Sequence, residues 1–175
     1  SGAHIINDVS ALLYDDQALE VLASSTCPIV LMHFPGPAQT PHAQDAYHDP
    51  LTDVYDWLEA RIEAVVKAGI ARDRLIADPG IGFGKASAAD NLRLMNGLSL
   101  FHGLGVPILL GASRKRLIAA LSDDAPTGKR LGGSIALALK AAEQGAQIIR
   151  VHDVYESAQA IRIWAGHRAV ALGRA

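Results

Sequence analysis

Asp78-Pro79-Gly80-Ile81-Gly82-Phe83-Gly84-Lys85, preceded by the short aliphatic run Leu75–Ala77, is the stretch that decides the fold. A run so short and so uniformly apolar fits a strand buried on both faces of a parallel sheet. The glycines at 80, 82 and 84 then let the backbone approach a ligand and adopt positive φ. The acid at the strand's end places a fixed carboxylate where ligands of parallel sheets bind. The stretch is not a dinucleotide fingerprint, because Lys85 stands where its last glycine should be. Nor is it a Walker A loop, whose first glycine is replaced by Pro79. The plain alternative is a flexible turn ending in a solvated lysine.

Outward from this run, the same rhythm of aliphatic run, polar cluster and helical pattern recurs. The other predicted strands are His4–Ile6, Ile29–Met32, Val106–Leu110 and Ile148–Val151. Helical patterns cover Asp16–Ser24, Asp53–Ala68, Asn91–Leu104, Lys115–Leu121, Leu131–Gln144 and Tyr155–Leu172. Strand–helix alternation predicts an α/β fold with a parallel sheet. Residues alone leave two architectures open: a flavodoxin-like doubly wound sheet, or the later part of an eight-stranded barrel. The first strand is followed by Asn7-Asp8-Val9-Ser10, which is a weak phosphate loop for the flavodoxin-like case. The loop Phe34–Pro50, with four prolines, is long enough to be functional.

Bulk properties narrow the classes. The 175 residues fit one domain spanning 1–175, with a core of ordinary size. Net charge is −2 with no run of like charge, which argues against a broad nucleic-acid surface. The single Cys27 excludes an internal disulfide and fits a reducing, cytoplasmic setting. No apolar stretch reaches membrane-spanning length, so no membrane partner is expected. The chain opens Ser1-Gly2-Ala3 without an initiator Met, and we expect it to have been cut from something longer.

Three further clusters carry chemistry. Gly111-Ala112-Ser113-Arg114-Lys115 puts a hydroxyl and two cations at a helix start, which suits an anion; a capped helix with solvated basic residues is the alternative. Strand alternation sets Arg150 and His152 on one side, about 6.5 Å apart, where they can grip one phosphate or pyrophosphate. A salt-bridged Arg beside a core His is the alternative there. Asn7 offers a donor and an acceptor to a heterocycle edge, while Asp8 reads better as a turn or cap. His33, His42 and His48 lack zinc spacing, and no cysteine pair assists them.

In this order the clusters resemble dihydropteroate synthase. The likeness runs through Ile5-Ile6-Asn7-Asp8-Val9, Leu31-Met32-His33, Asp78–Lys85, Ser113-Arg114-Lys115, Arg130-Leu131-Gly132-Gly133-Ser134 and Arg150-Val151-His152-Asp153-Val154. The glycine-rich run and the Ser-Arg-Lys triplet are its most specific parts. The resemblance implies a parallel (β/α)8 TIM-type barrel, of which this chain supplies the last five strand–helix units. It implies condensation of p-aminobenzoate with 6-hydroxymethyl-7,8-dihydropterin pyrophosphate in folate biosynthesis, with Mg2+ assisting the leaving pyrophosphate. Carried over by motif, Asn7 and Asp78 would bond the pterin edge, with Met32 packed on it and Gly82 close by. Lys115 would serve pterin and aminobenzoate together. Arg150 would lie against the pterin, and Arg150 with His152 would hold pyrophosphate. Phe83 and Ser113 would border the aminobenzoate, and Lys115, Arg150 and His152 would be the catalytic set.

The family's first three strands, and the metal ligand they carry, have no counterpart here, so no metal ligand is expected in this chain and little synthase activity from it alone. Pro41-His42 stands where the family usually places a Met-Gln pair. A homodimer through Leu131–Gln144 and Tyr155–Leu172 is implied as well. Two rivals remain: the methyltetrahydrofolate–corrinoid methyltransferase type of pterin barrel, and a non-catalytic pterin-binding fragment. The former has no use for an Arg-His grip on pyrophosphate.

Overall fold

The computed structural model describes residues 2–34, 47–85 and 87–173. Five parallel strands alternate with helices: β1 (Ile6–Asp8), α1 (Ala18–Ala23), β2 (Ile29–Met32), α2 (Pro50–Lys67), β3 (Leu75–Asp78), α3 (Ala88–Asn96), β4 (Leu109–Leu110), α4 (Arg116–Ala120), α5 (Leu131–Glu143), β5 (Ile148–Ile149) and α6 (Val154–Ala171). Strands β1, β2 and β3 lie side by side, β4 pairs with β5, and a single bridge from Ala77 to Ile108 joins the two sets. The order along the sheet is the order along the chain, as in a barrel rather than a doubly wound sheet.

The alternation of strand side chains separates two environments. Ile29, Leu31, Leu75, Ala77, Ile108 and Leu110 join the large core under the helices. Val30, Ile76 and Leu109, with Ile148 against them, form a small second cluster on the other face. Register carries that inner face upward: Asn7 lies opposite Val30, and Met32 opposite Asp78. Polar residues of the candidate site therefore share the strand face that a closed barrel turns inward.

Helix α2 shows why the outer layer is stable. Val54, Leu58, Ile62 and Val65 are buried at helical spacing, each contributing about 1.5–3 kcal/mol of apolar burial. The helix begins at Pro50, earlier than the apolar pattern suggests, because Asp49 caps it by accepting from the Leu51 N–H at 3.0 Å. The predicted helix Asn91–Leu104 is divided: α3 ends at Gly97, and residues Leu98–Leu104 continue as a 3-10 turn. At Gly97 a Cβ would stand 2.4 Å from the Leu51 side chain, so a larger residue would require that side chain to shift.

The first strand is Ile6–Asp8 rather than His4–Ile6, which brings Asn7 and Asp8 into it. Asp8 has the turn role expected for it, its Oδ1 accepting from the Ser10 N–H, the Ser10 hydroxyl and the Leu12 N–H. The 18-residue helix α6 buries Ser157 alone and leaves Val154, Tyr155, Ile163 and Val170 exposed. No described helix is long and apolar enough to cross a membrane. Most of the loop Phe34–Pro50, including Pro41 and His42, lies outside the described residues.

Candidate active site

Asp78 ends β3 and is 2% exposed. Burial pushes its carboxyl above the ordinary carboxylate range; the Gly80 N–H, then Lys85, Arg150 and Lys115, pull it back. The Gly80 N–H donates to Oδ1 at 2.8 Å, and Oδ2 takes no protein hydrogen bond among the described residues. Gly80 is needed for this turn: its φ is +69°, and a Cβ there would stand 2.2 Å from the His33 carbonyl oxygen. A buried carboxylate ringed by three cations is a site for a ligand edge that donates hydrogen bonds.

Lys85 is not a solvated lysine. It is 5% exposed, and its ammonium donates to the Pro79 and Gly80 carbonyls at 2.8 and 3.0 Å and sits 2.9 Å from His33 Nδ1. Desolvation, partly offset by Asp78, lowers its pKa to about 7. His33, buried beside this cation, is driven down to about 2, first by desolvation and then by Lys85. His33 is thus a neutral partner of Lys85 inside the fold.

Lys115 stands on the opposite side of the glycine-rich turn. Its ammonium lies 3.6 Å from the centroid of the Phe83 ring, a cation–π contact. Its stem lies on Gly82, where a Cβ would come 2.9 Å from Lys115 Cδ. Desolvation, then Arg150, lowers its pKa to about 8 against the pull of Asp78. Arg150 is exposed and occupies space left by Gly111, whose added Cβ would stand 2.9 Å from Nη2.

The Ser113-Arg114-Lys115 triplet does not act as one anion site. Arg114, at φ +57°, is committed to Asp153, with Nη2 to Oδ1 at 2.5 Å and Nε to Oδ2 at 3.1 Å. Ser113 is buried, its hydroxyl 3.0 Å from His152 Nδ1 and accepting from the His152 N–H at 3.3 Å. The helix itself starts only at Arg116 and is five residues long. Regular strand ends at Ile149, so the expected alternation of Arg150 and His152 on one strand does not hold; Ser113 orients His152 instead. Arg150 and Lys115 nonetheless both act electrostatically on Asp78. Among the described residues no group of three His, Cys, Asp or Glu comes together to hold a metal.

Asn91 escaped the sequence reading as a contributor, and Ser134 entered it only as part of the Arg130–Ser134 motif. Asn91, 4% exposed on α3, accepts from the Gly82 N–H at 2.6 Å and donates to the Lys85 and Ser87 carbonyls. Ser134 accepts from the Arg114 N–H at 3.0 Å and donates to the Arg130 carbonyl, tying α5 to the triplet. Asn91 carried no local signal beyond being a polar residue in a helical pattern.

A family model described as pterin binding enzyme matches residues 1–152. The chain belongs to this pterin-binding family. The dihydropteroate synthase of Escherichia coli strain K12 is 43% identical over 162 residues, covering 93% of this chain and 56% of the relative. That of Neisseria meningitidis serogroup B is 42% identical, over 93% of this chain and 58% of the relative. Among solved structures, Xanthomonas albilineans dihydropteroate synthase with 4-aminobenzoic acid superposes with a TM-score of 0.89 at 43% identity, covering 96% of this chain and 59% of that one. The Stenotrophomonas maltophilia enzyme gives 0.92 at 38% identity, over 97% and 63%. The chain thus spans a little over half the length of its pterin-binding relatives, and its five strand–helix units are part of a parallel (β/α)8 barrel.

Proposed function

We propose that residues 1–175 form one domain of a dihydropteroate synthase barrel, carrying the face that meets dihydropterin, pyrophosphate and p-aminobenzoate. The observation that carries the reading is the buried Asp78 carboxylate with Lys85, Lys115 and Arg150 converging on it, in a chain 43% identical to such enzymes. The pterin edge offers N–H donors. Asp78 Oδ2 accepts from it, and Asn7, on the same strand face, supplies a donor and an acceptor. Met32, opposite Asp78, gives a soft apolar contact, and Gly82 lets the backbone come near.

In the reaction the bond from the pterin methylene carbon to the pyrophosphate oxygen breaks, and the aminobenzoate nitrogen bonds to that carbon and loses a proton. The protein's work is electrostatic. Arg150 lies flat against the pterin and, with His152, receives the negative charge of the leaving pyrophosphate; Ser113 fixes the imidazole for that task. Phe83 and Lys115 form the wall for aminobenzoate, an apolar ring beside a cation for its carboxylate. Ser113 borders that wall from within, through His152, and no strong general base is required. Magnesium belongs with pyrophosphate in this reading, although no group of three His, Cys, Asp or Glu comes together to hold it among the described residues. A homodimer through α5 and the exposed face of α6, and a cytoplasmic setting, complete the proposal.

Calorimetric titration tests it. The chain is expected to bind a 6-hydroxymethylpterin and, separately, pyrophosphate, with His152→Ala weakening pyrophosphate alone. Pterin binding with indifference to pyrophosphate would favour a corrinoid-methyltransferase type of barrel instead.

A further inference from the structure

The mouth of the site is built on a turn of glycines, yet the Phe83 ring and the Lys115 ammonium meet there at 3.6 Å. Something must hold so permissive a backbone in one place. Lys85 secures the near end, through the Pro79 and Gly80 carbonyls. The far end is held by Asn91. Its Oδ1 accepts from the Gly82 N–H at 2.6 Å, and its Nδ2 donates to the Lys85 carbonyl at 3.2 Å and the Ser87 carbonyl at 2.8 Å. All three bonds of this buried amide go to the turn and to its exit at Ser87, the N-cap of α3. Gly82 is the pivot: Asn91 grips its N–H, and the Lys115 stem rests on its α-carbon, where even a methyl group would come within 2.9 Å.

We propose that Asn91 is a positioning residue for the second substrate, setting the Phe83–Lys115 wall through Gly82. The assignment of that wall to p-aminobenzoate rests on the function proposed above; the mechanical coupling does not. The Asn91 amide itself is buried, at 4% exposure. Its loss takes this partner from the Gly82 N–H and the Lys85 carbonyl, the Ser87 carbonyl keeping the Asn91 backbone N–H at 3.4 Å, and frees Gly82 to move under Lys115. A catalytic contact shifted by about an ångström loses roughly tenfold to a hundredfold in what it supplies, so the effect on one ligand should be large and selective.

The test uses this chain, its Asn91→Leu variant, which is near in size but apolar, and the smaller Asn91→Ser. One readout is independent of function: the proton shifts of the Lys115 ε-methylene, moved upfield by the Phe83 ring. The second is the affinity for p-aminobenzoate, measured with a 6-hydroxymethylpterin and pyrophosphate present, beside the affinity for the pterin alone. Both variants are expected to lose the upfield shift and to bind p-aminobenzoate roughly tenfold more weakly, with the pterin, held chiefly by Asp78 and Asn7, weakened by no more than about threefold. Should Asn91→Leu fail to fold, Asn91→Ser carries the same comparison. An unchanged Lys115 shift in the folded variants overturns the coupling. Affinities for pterin and p-aminobenzoate falling together overturn the selectivity and make Asn91 a general support of the turn. A lost shift with p-aminobenzoate bound as before overturns the substrate assignment of the wall, and this proposal with it.

Discussion

Replacing Asp78 by Asn separates recognition from fold. The amide can keep its oxygen at the Oδ1 position, where the Gly80 N–H donates at 2.8 Å, so the turn retains its bond. The other terminus changes sign as a hydrogen-bonding group: Oδ2, an acceptor, becomes an NH2 that meets the pterin's donors head on. One charge-assisted bond, the one to Oδ2, is lost, while the oxygen kept at Oδ1 still accepts through its remaining lone pair. At about 1.5–3 kcal/mol, that loss amounts to about one to two decades in pterin affinity. Fold stability moves less, because opposite effects meet. The amide avoids the desolvation that pushes the Asp78 carboxyl up, while Lys85, Lys115 and Arg150 lose their shared counter-charge. The assay is calorimetric pterin titration of Asp78→Asn beside wild type, with a urea melt of each to confirm that both are folded. A folded Asp78→Asn that binds pterin within threefold of wild type would refute the reasoning.

Four shorter predictions follow from the same geometry. Gly80→Ala forces a left-handed residue at φ +69° and a Cβ 2.2 Å from the His33 carbonyl, so a loss of several kcal/mol, at least about 2, is expected in a urea melt. Leu58→Ala empties a fully buried position of α2 and is expected to cost about 2–5 kcal/mol by the same measurement. Lys85 has its native pKa lowered from 10.5 to about 7, so between those values the unfolded chain holds the extra proton. The stability of wild type relative to Lys85→Met is therefore expected to rise with pH from about 7 towards 10 in melts at several pH values; a flat or falling difference contradicts the buried-cation picture. Ser113→Ala removes the group 3.0 Å from His152 Nδ1, and pyrophosphate titration is expected to show roughly tenfold weaker binding with pterin affinity unchanged.

What the residues disclosed in advance was governed by range. Runs such as Ile29–Met32 and Leu75–Asp78 are uniformly buried, because both faces of a parallel sheet are covered, and that is visible as unbroken aliphatic character. Asp78 announced itself by standing at the end of one. The break at Gly97 did not, because a 3-10 turn preserves the apolar spacing of Leu98, Phe101 and Leu104 almost as well as an α-helix does. Arg114 read as a ligand for an anion since its partner, Asp153, lies 39 residues away. The alternative of a solvated Lys85 stayed open for a similar reason: the His33 beside it is 52 positions distant, and a contact across strands leaves no local trace.

The electrostatics of the mouth follow from that long-range pairing. Four basic side chains lie near the turn, and the fold treats each differently. Arg114 is neutralised by Asp153, and Lys85 is sealed beneath the turn with carbonyls and a neutral imidazole. Lys115 and Arg150 are left to share a single buried carboxylate; desolvation first, and then the charge of Arg150, lowers Lys115 to about 8. Among the described residues this side of the turn therefore carries an excess of positive charge, two cations to one carboxylate. Bound pyrophosphate or a benzoate would cancel it, so anion binding should raise the Lys115 pKa towards its ordinary value. Proton uptake on binding gives that inference a number: titrations in buffers of different ionisation enthalpy, run near pH 8, should report a fraction of a proton taken up per pyrophosphate. Uptake near zero would mean that Lys115 and the anion do not share the mouth.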